Sequence, residues 1–575
     1  MSEHLISALA LAAQTPDPKA GLRYIDRHEV GTWFSWEQIQ ARVSRTAGAL
    51  YETGVRSGDR IAIILPTRPE FIELFFACQS LGAIPVALYP PVRLGRLAEY
   101  HEKTAAMLKS VKAAAIVTDA RVQRILGETI SKYRPRMGIL TCERLHEGPE
   151  RSVVAPDPDA IAMVQFSSGT TLDPKPVALS HRQVTANAWR ITRTLLASLE
   201  LETPNRTVGV SWLPLYHDMG LIGAVIPALL HPGQLNLIPP ENFLAKPALW
   251  LRTISKYRAP ISPAPNFAYA LCTERIPDSD LEGVDLSCWR IALNGAEPIS
   301  AGTLRAFEER FERYGFRKDA LLPVYGLSEA ALAVTFPTPG KPFRAVMFDG
   351  DALRNGQAVA ASTGTELVSC GFPLEDFAVE VREGDQRLPD GQIGRIWASG
   401  PSLMTGYLDR TDSPIHDGWL DTGDLGFLWQ GELFVTGRAK DVLILRGQNH
   451  APHELERAVD EVDGVRTGCS AAVADLEGGA ERILLFVEIR ESHPKQAEEC
   501  HQAVLAATGV AVDEVLLIEA GTLPRTSSGK IRRGETLRRW RAGTLTPPDK
   551  VNLFTMAGAL TRSALGFVRS KLSET

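Results

Sequence analysis

The sequence predicts an α/β protein: a large N-terminal domain of parallel αβ sheets with a β-rich subdomain, then a small α+β C-terminal domain. Three observations predict it. Arg60-Ile61-Ala62-Ile63-Ile64-Leu65 is a β-rich run, a helical spacing of Phe71, Leu74, Phe75 and Cys78 follows, and Ile84-Pro85-Val86-Ala87-Leu88 completes the strand, helix, strand unit of a parallel sheet. From Glu366 onward the texture changes to short β-like pieces separated by turn dipeptides. At 575 residues the chain exceeds what one core ordinarily spans.

At the N-terminus, Leu5 to Ala13 reads as an amphipathic helix, because Glu3 and His4 stand where a signal peptide has basic residues and the apolar run is short. No apolar run approaches the ~18 to 20 residues that span a bilayer, so stable membrane insertion is not expected. The αβ alternation recurs at Ala114 to Val117, at Val208 to Trp212, and at Arg290 to Gly295 before Glu297-Pro298-Ile299. Loops at the C-terminal ends of such strands are available to ligands. Ala378 to Val381 and Gly394 to Trp397, with turns at Gly384-Asp385 and Asp390-Gly391, form the β-rich subdomain. The domain boundary is placed at Lys440, giving units 1–439, 440–543 and 544–575. The last contains Pro547-Pro548 and then Leu553, Met556, Ala557, Leu560, Ala564, Leu565 and Val568 at helical spacing. It reads as an amphipathic helix docked on the small domain, with membrane or partner contact as the alternative.

Lys and Arg number 62 against 68 Asp and Glu, a net charge of -6, which does not suggest a nucleic-acid binder or a polybasic membrane protein. The 7 cysteines are scattered, without C-x-x-C or zinc-site spacing, so reduced thiols and a cytoplasmic location are expected.

Chemistry concentrates in separated motifs. Ser167, Ser168, Gly169, Thr170, Thr171 and Lys175 offer hydroxyls, backbone N–H groups and an ammonium suited to phosphates, although such a loop is also a common surface turn and is not a Walker A sequence. Downstream come Asn294-Gly295-Ala296-Glu297, Tyr325-Gly326-Leu327-Ser328-Glu329, Asp421-Thr422-Gly423-Asp424, and Leu523 to Lys530. Singly, each could be a turn, a cap or a buried tyrosine. In this order, from about Thr32 to Arg541, they resemble the adenylate-forming enzymes, which make acyl-AMP from ATP and a carboxylic acid.

The resemblance implies ATP and Mg2+ as cofactors and a role for each motif. Ser167 to Lys175 would hold the β- and γ-phosphates, and Gly295, Ala296 and Glu297 would line the adenine pocket. Tyr325 would stack on adenine beside Gly326, Ser328 would meet the α-phosphate, and Glu329 would hold the metal. Asp424 would accept the ribose hydroxyls, supported by Arg438. Lys530 would bridge the reacting anions and Lys440 would be the hinge of a mobile small domain. His217, in Trp212-Leu213-Pro214-Leu215-Tyr216-His217-Asp218-Met219-Gly220, would gate the acyl pocket or contact the substrate carboxylate, with Trp212, Asn266, Phe267 and Ala268 along that pocket. Leu172 and Pro176 depart from the pattern, standing where the family usually has glycine.

Within the superfamily these stretches look like fatty acyl-AMP ligases, which hand the acyl group to an acyl carrier protein. Thr335 to Thr365 sits where that branch carries an extra segment held to hinder the domain swing needed for coenzyme A. Two alternatives stay open, an acyl-CoA synthetase of the same fold and a non-catalytic AMP-binding or carrier-docking protein. Arg525, Lys530, Arg532, Arg533, Arg538, Arg539 and Arg541 make the small domain's end locally basic, either a docking face for an acidic carrier protein or a solvated helix face.

Overall fold

The computed structural model describes residues 3–15, 17–91, 94–145, 147–152, 155–167, 175–199, 207–445, 448–475, 482–526, 529–549 and 553–572. The expected βαβ unit is present. Strand Arg60–Ile64 is followed by helix Pro69–Ser80 and pairs in parallel with Ile84–Leu88. These strands belong to a seven-stranded sheet ordered Gly406–Tyr407, Pro176–Ser180, Ile161–Phe166, Ile84–Leu88, Arg60–Ile64, Ala115–Thr118 and Ile139–Thr141. Its central members are buried on both faces, which is why they read as unbroken apolar runs. A second seven-stranded sheet runs Leu321–Pro323, Ile291–Asn294, Ile261–Ala264, Val208–Ser211, Gln234–Leu237, Gly21–Ile25 and Gly31–Ser35, parallel except for its last pair. Strands Val208–Ser211 and Ile291–Asn294 deliver the loops that carry His217 and Ala296.

The β-rich part is antiparallel, with Ala378–Glu383, Gly394–Ser399, Trp419–Trp429 and Glu432–Arg438 paired in succession. Gly384 and Gly391 take φ of 58° and 81° in its turns, a region open to glycine without strain. Beyond it, Val465–Asp475, Arg482–Ile489 and Glu514–Glu519 form a three-stranded sheet covered by helices Pro452–Ala458 and Gln496–Thr508. This unit has its own core of Leu455, Val459, Leu485, Val487, Cys500 and Val504.

Both terminal helices join the large part. Leu5–Ala13 buries Leu5, Ile6, Ala8, Leu9 and Ala12 in the core shared with Phe71 and Phe75. Leu553–Leu572 does not dock on the small unit, as its periodicity suggested, but on helix Gly127–Lys132 of the large part. The two helices meet at glycines: the Gly127 N–H donates to Ser563 Oγ at 2.8 Å, and a Cβ at Gly566 would lie 2.4 Å from the Gly127 carbonyl oxygen. Arg562 pairs with Glu128 at 3.2 Å. A periodic apolar stripe specifies a buried face without naming its partner, and here the small residues decide it.

Because a leucine at Gly566 has no room, Gly566→Leu is expected to undock this helix at a cost of about 1–3 kcal/mol. The exposed Arg562 would then be cut by trypsin about tenfold faster or more. Unchanged cleavage would show that the helix is not held at this contact. Among the described residues, no helix is long and apolar enough to cross a membrane.

Candidate active site

A cavity of about 340 Å³ opens where the large sheets, the β-rich part and the small unit meet, within the ~300–1,000 Å³ range of small-ligand sites. Ser167, Lys175, His217, Ala296, Tyr325, Gly326, Ser328, Glu329, Arg438, Lys440 and Lys530 all line it. The sequence spreads these residues over more than 360 positions, and the fold gathers them.

Each is positioned by local structure. Strands Ile161–Phe166 and Pro176–Ser180 are antiparallel, and the Ser167 N–H donates to the Lys175 carbonyl at 2.9 Å, closing the base of the loop between them. Pro176 opens its strand opposite Phe166, and its carbonyl accepts from the Leu408 N–H at 2.8 Å. A proline at a strand's first residue is tolerated, so its missing donor is accommodated here. Ser168, Gly169, Thr170, Thr171 and Leu172 lie outside the described residues. Lys175 Nζ stands 4.5 Å from the Tyr407 ring centre and 3.3 Å from Asp412 Oδ2.

Tyr325-Gly326 forms a short strand against Ala333–Phe336. A Cβ at Gly326 would fall 1.8 Å from the Leu332 carbonyl oxygen, so the backbone approach admits only glycine. The Tyr325 hydroxyl donates to Asp424 Oδ2 at 2.8 Å. Antiparallel register sets Asp424 opposite Arg438, whose Nε lies 3.1 Å from Asp424 Oδ1. Both carboxylate oxygens are thus engaged, and each retains acceptor capacity. The Tyr407 hydroxyl donates to Glu329 Oε1 at 3.1 Å, while burial pushes the Glu329 carboxyl above its usual value. Thr526 and Lys530 close a turn by N–H to carbonyl at 2.8 Å, with Gly529 at φ 93°, and this turn brings Lys530 to the cavity. Burial, then the charge of Arg438, lowers the Lys530 ammonium from its ordinary value, and Asp218, Glu297 and Asp424 oppose that shift.

Several expected residues stand elsewhere. Gly295 packs on Val324, and Glu297 accepts the Phe267 N–H at 2.6 Å; neither lines the cavity. Trp212 stacks on Phe243 at 4.0 Å in the core, Ala268 is fully buried there, and Asn266 accepts from Asn294 and the Ser300 N–H. Phe267 is partly exposed, edge-on to Trp212 at 5.9 Å. An acyl wall at these four positions is therefore not what the structure shows. Small residues alternating with aromatics describe a packed core equally well. The apolar lining instead includes Ile191, Met219, Leu293, Leu332 and Phe336.

Sequence reasoning gave no role to Tyr407, Asp421, Arg395 or Asp218. Asp218 adjoins His217, so its position signalled it; Tyr407 sits on a two-residue strand with no motif around it.

The basic end of the small unit is largely spent on internal carboxylates. Arg533 pairs with Glu456 at 2.6 Å, Arg538 and Arg539 with Glu535, and Arg541 with Asp475, while Arg532 is buried. Most of these charges are therefore already paired within the protein, although Arg538 stays half exposed.

The chain matches the family of AMP-binding enzymes over residues 10–408. A Caulobacter vibrioides protein named "Putative acyl-CoA synthetase" is 36% identical over 87% of this chain and 88% of its own length. The medium-chain-fatty-acid [acyl-carrier-protein] ligase JamA of Moorena producens is 32% identical over 92% of this chain and 93% of its own. A solved structure from studies of fatty acyl-adenylate ligases of E. coli and L. pneumophila superposes with a TM-score of 0.88 at 34% identity, covering 94% of this chain and 98% of that one.

Proposed function

The chain belongs to the AMP-binding enzyme family, and from that premise we propose that it joins a fatty or related carboxylic acid to AMP from ATP, releasing pyrophosphate, and then passes the acyl group to the phosphopantetheine thiol of an acyl carrier protein. The observation that carries the reading is the convergence of Lys175, Ser328, Glu329, Arg438 and Lys530 on one cavity.

The roles follow from the chemistry. Attack of a carboxylate on the α-phosphate brings two anions together, so cations and donors must be in place where charge develops. Lys175 serves the β- and γ-phosphates. Lys530 lies between the carboxylate and the α-phosphate. Asp424 stands just behind the lining residues Tyr325, Gly423 and Arg438, and we assign it the ribose hydroxyls, with Arg438 and Tyr325 holding it in place. The acyl chain runs along the apolar lining.

The residues fit Mg2+. Magnesium sites at nucleotides use one or two carboxylates together with substrate phosphates. Glu329 supplies such a carboxylate, fixed by Tyr407 and aimed at the cavity that Lys175 shares. When bound there, the ion would neutralise phosphate charge.

The carrier protein is favoured over coenzyme A by the segment between Thr335 and Thr365. Its helix Gly350–Arg354 lies against the hairpin strand Gln448–His450 of the small unit, where it would oppose a swing about Lys440. Similarity to a relative named as an acyl-CoA synthetase keeps the second acceptor in play. All seven cysteines are free, which supports a cytoplasmic site of action.

Radiolabelled ATP with a panel of fatty acids, run with no acceptor, with coenzyme A and with holo acyl carrier protein, tests this. The expected result is acyl-AMP without acceptor and thioester on the carrier only. Thioester on coenzyme A would assign the chain to the acyl-CoA synthetases, and no acyl-AMP with any acid would leave an AMP-binding protein.

A further inference from the structure

We propose that Asp218 is a positioning residue of the adenylation step, a buried anion that holds the Ser328 hydroxyl and the His217 imidazole in one fixed arrangement. The inference rests on the reading of this cavity as an adenylation site.

Asp218 joins two motifs more than 100 residues apart. Its Oδ2 accepts the Ser328 hydroxyl at 2.5 Å. Its Oδ1 lies 2.6 Å from His217 Nδ1 and accepts the Met219 N–H at 2.8 Å. The side chain is nearly inaccessible yet borders the cavity. Burial alone would raise its carboxyl, but the charge of His217 and the hydrogen bonds from His217, Ser328 and Met219 outweigh this and hold it well below the ordinary range. A buried carboxylate without such partners is costly, so a merely structural site is better filled by an amide or an apolar side chain.

The chemistry of the contact has a consequence for Ser328. An ionised carboxylate only accepts, so the single hydroxyl proton of Ser328 is committed to Asp218. The hydroxyl then turns lone pairs, not a proton, toward the cavity. In that state it does not donate to the α-phosphate, as the resemblance implied, but suits a cation such as the Lys530 ammonium, which lines the same cavity and would carry its effect to the reacting anions. Asp218 therefore sets the polarity with which Ser328 meets its ligands, and through Oδ1 it fixes the ring plane of His217 at the same time.

The test is Asp218→Asn, alone and combined with Ser328→Ala, assayed by ATP–pyrophosphate exchange with a responsive fatty acid. Asparagine keeps the volume and an acceptor for the Met219 N–H, but its amide would donate toward Ser328 and reverse that contact. The expected result is a kcat about 10² lower, with KM for ATP within about twofold and an unchanged melting temperature. In the Ser328→Ala background the same change should cost only about a few-fold, since residues acting as a unit are non-additive. Should Asp218→Asn destabilise the fold, Asp218→Glu, which keeps the charge, is expected to recover more activity than asparagine at equal melting temperature. Wild-type kcat in Asp218→Asn, full additivity with Ser328→Ala, or no advantage of glutamate overturns the assignment. Exchange absent from the wild-type protein with every acid would instead overturn the adenylation reading, and this proposal with it.

Discussion

Lys530→Ala is expected to lower the rate of acyl-AMP formation by about 10²–10³-fold, the loss that follows removal of one preorganised donor at a developing charge. The ammonium is the cation that the turn at Gly529 brings to the cavity from the small unit. Much of its contribution arises only as the carboxylate and the phosphate approach, so KM for ATP should change far less than kcat. A pH profile gives the second check. Burial lowers the Lys530 ammonium from its ordinary value of 10.5, and the charged form is the active one. Activity is therefore lost as pH rises through a value below 10.5, and it is fully present on the acid side of that limb. Lys530→Arg, which stays charged, should lose the limb while retaining part of the rate. Exchange kinetics of Lys530→Ala indistinguishable from wild type would remove Lys530 from the reaction.

The second large effect is expected on binding. Asp424→Ala removes the acceptor of the Tyr325 hydroxyl and the partner of Arg438 together with the proposed ribose contacts. Hydrogen bonds to charged groups contribute about 1.5–3 kcal/mol each, so the loss of one or two raises Kd for ATP by about 10²-fold. Calorimetric titration measures this directly. Tyr325→Phe separates the contributions, because it leaves the carboxylate and its ion pair in place. If Asp424 is the ribose acceptor, phenylalanine should cost much less than the alanine variant. Equal losses would mean that the carboxylate serves only to anchor Tyr325.

The sequence made the parallel sheets legible because their strands are buried on both faces and keep one apolar run each, as at Arg60–Ile64 and Ile84–Leu88. The polar site was legible for a different reason: glycines such as Gly326 and Gly529 mark backbones that no other residue can follow, and charged groups stand beside them. The apolar part of the site was not. Trp212 and Ala268 look like pocket wall in one dimension and are core in three, while Leu332 and Phe336 carry no mark that separates a ligand-facing side chain from a packed one. Long-range pairs were equally silent. Tyr407 reaches Glu329 across 78 positions from a strand of two residues, and Arg96 reaches the carbonyls of Gly521, Thr522 and Thr546.

That last arginine, with the glycine-paired terminal helix, bears on how the small unit can turn. The chain enters the unit at Lys440 and leaves it toward Leu553–Leu572, whose seat is on the opposite body at Gly127. The terminal helix thus works as a tether. If the small unit turns about Lys440 as proposed, the span between Gly543 and Leu553 sets how far it travels while the helix stays seated, and a face beyond that reach meets an acceptor only after the helix lifts off Gly127.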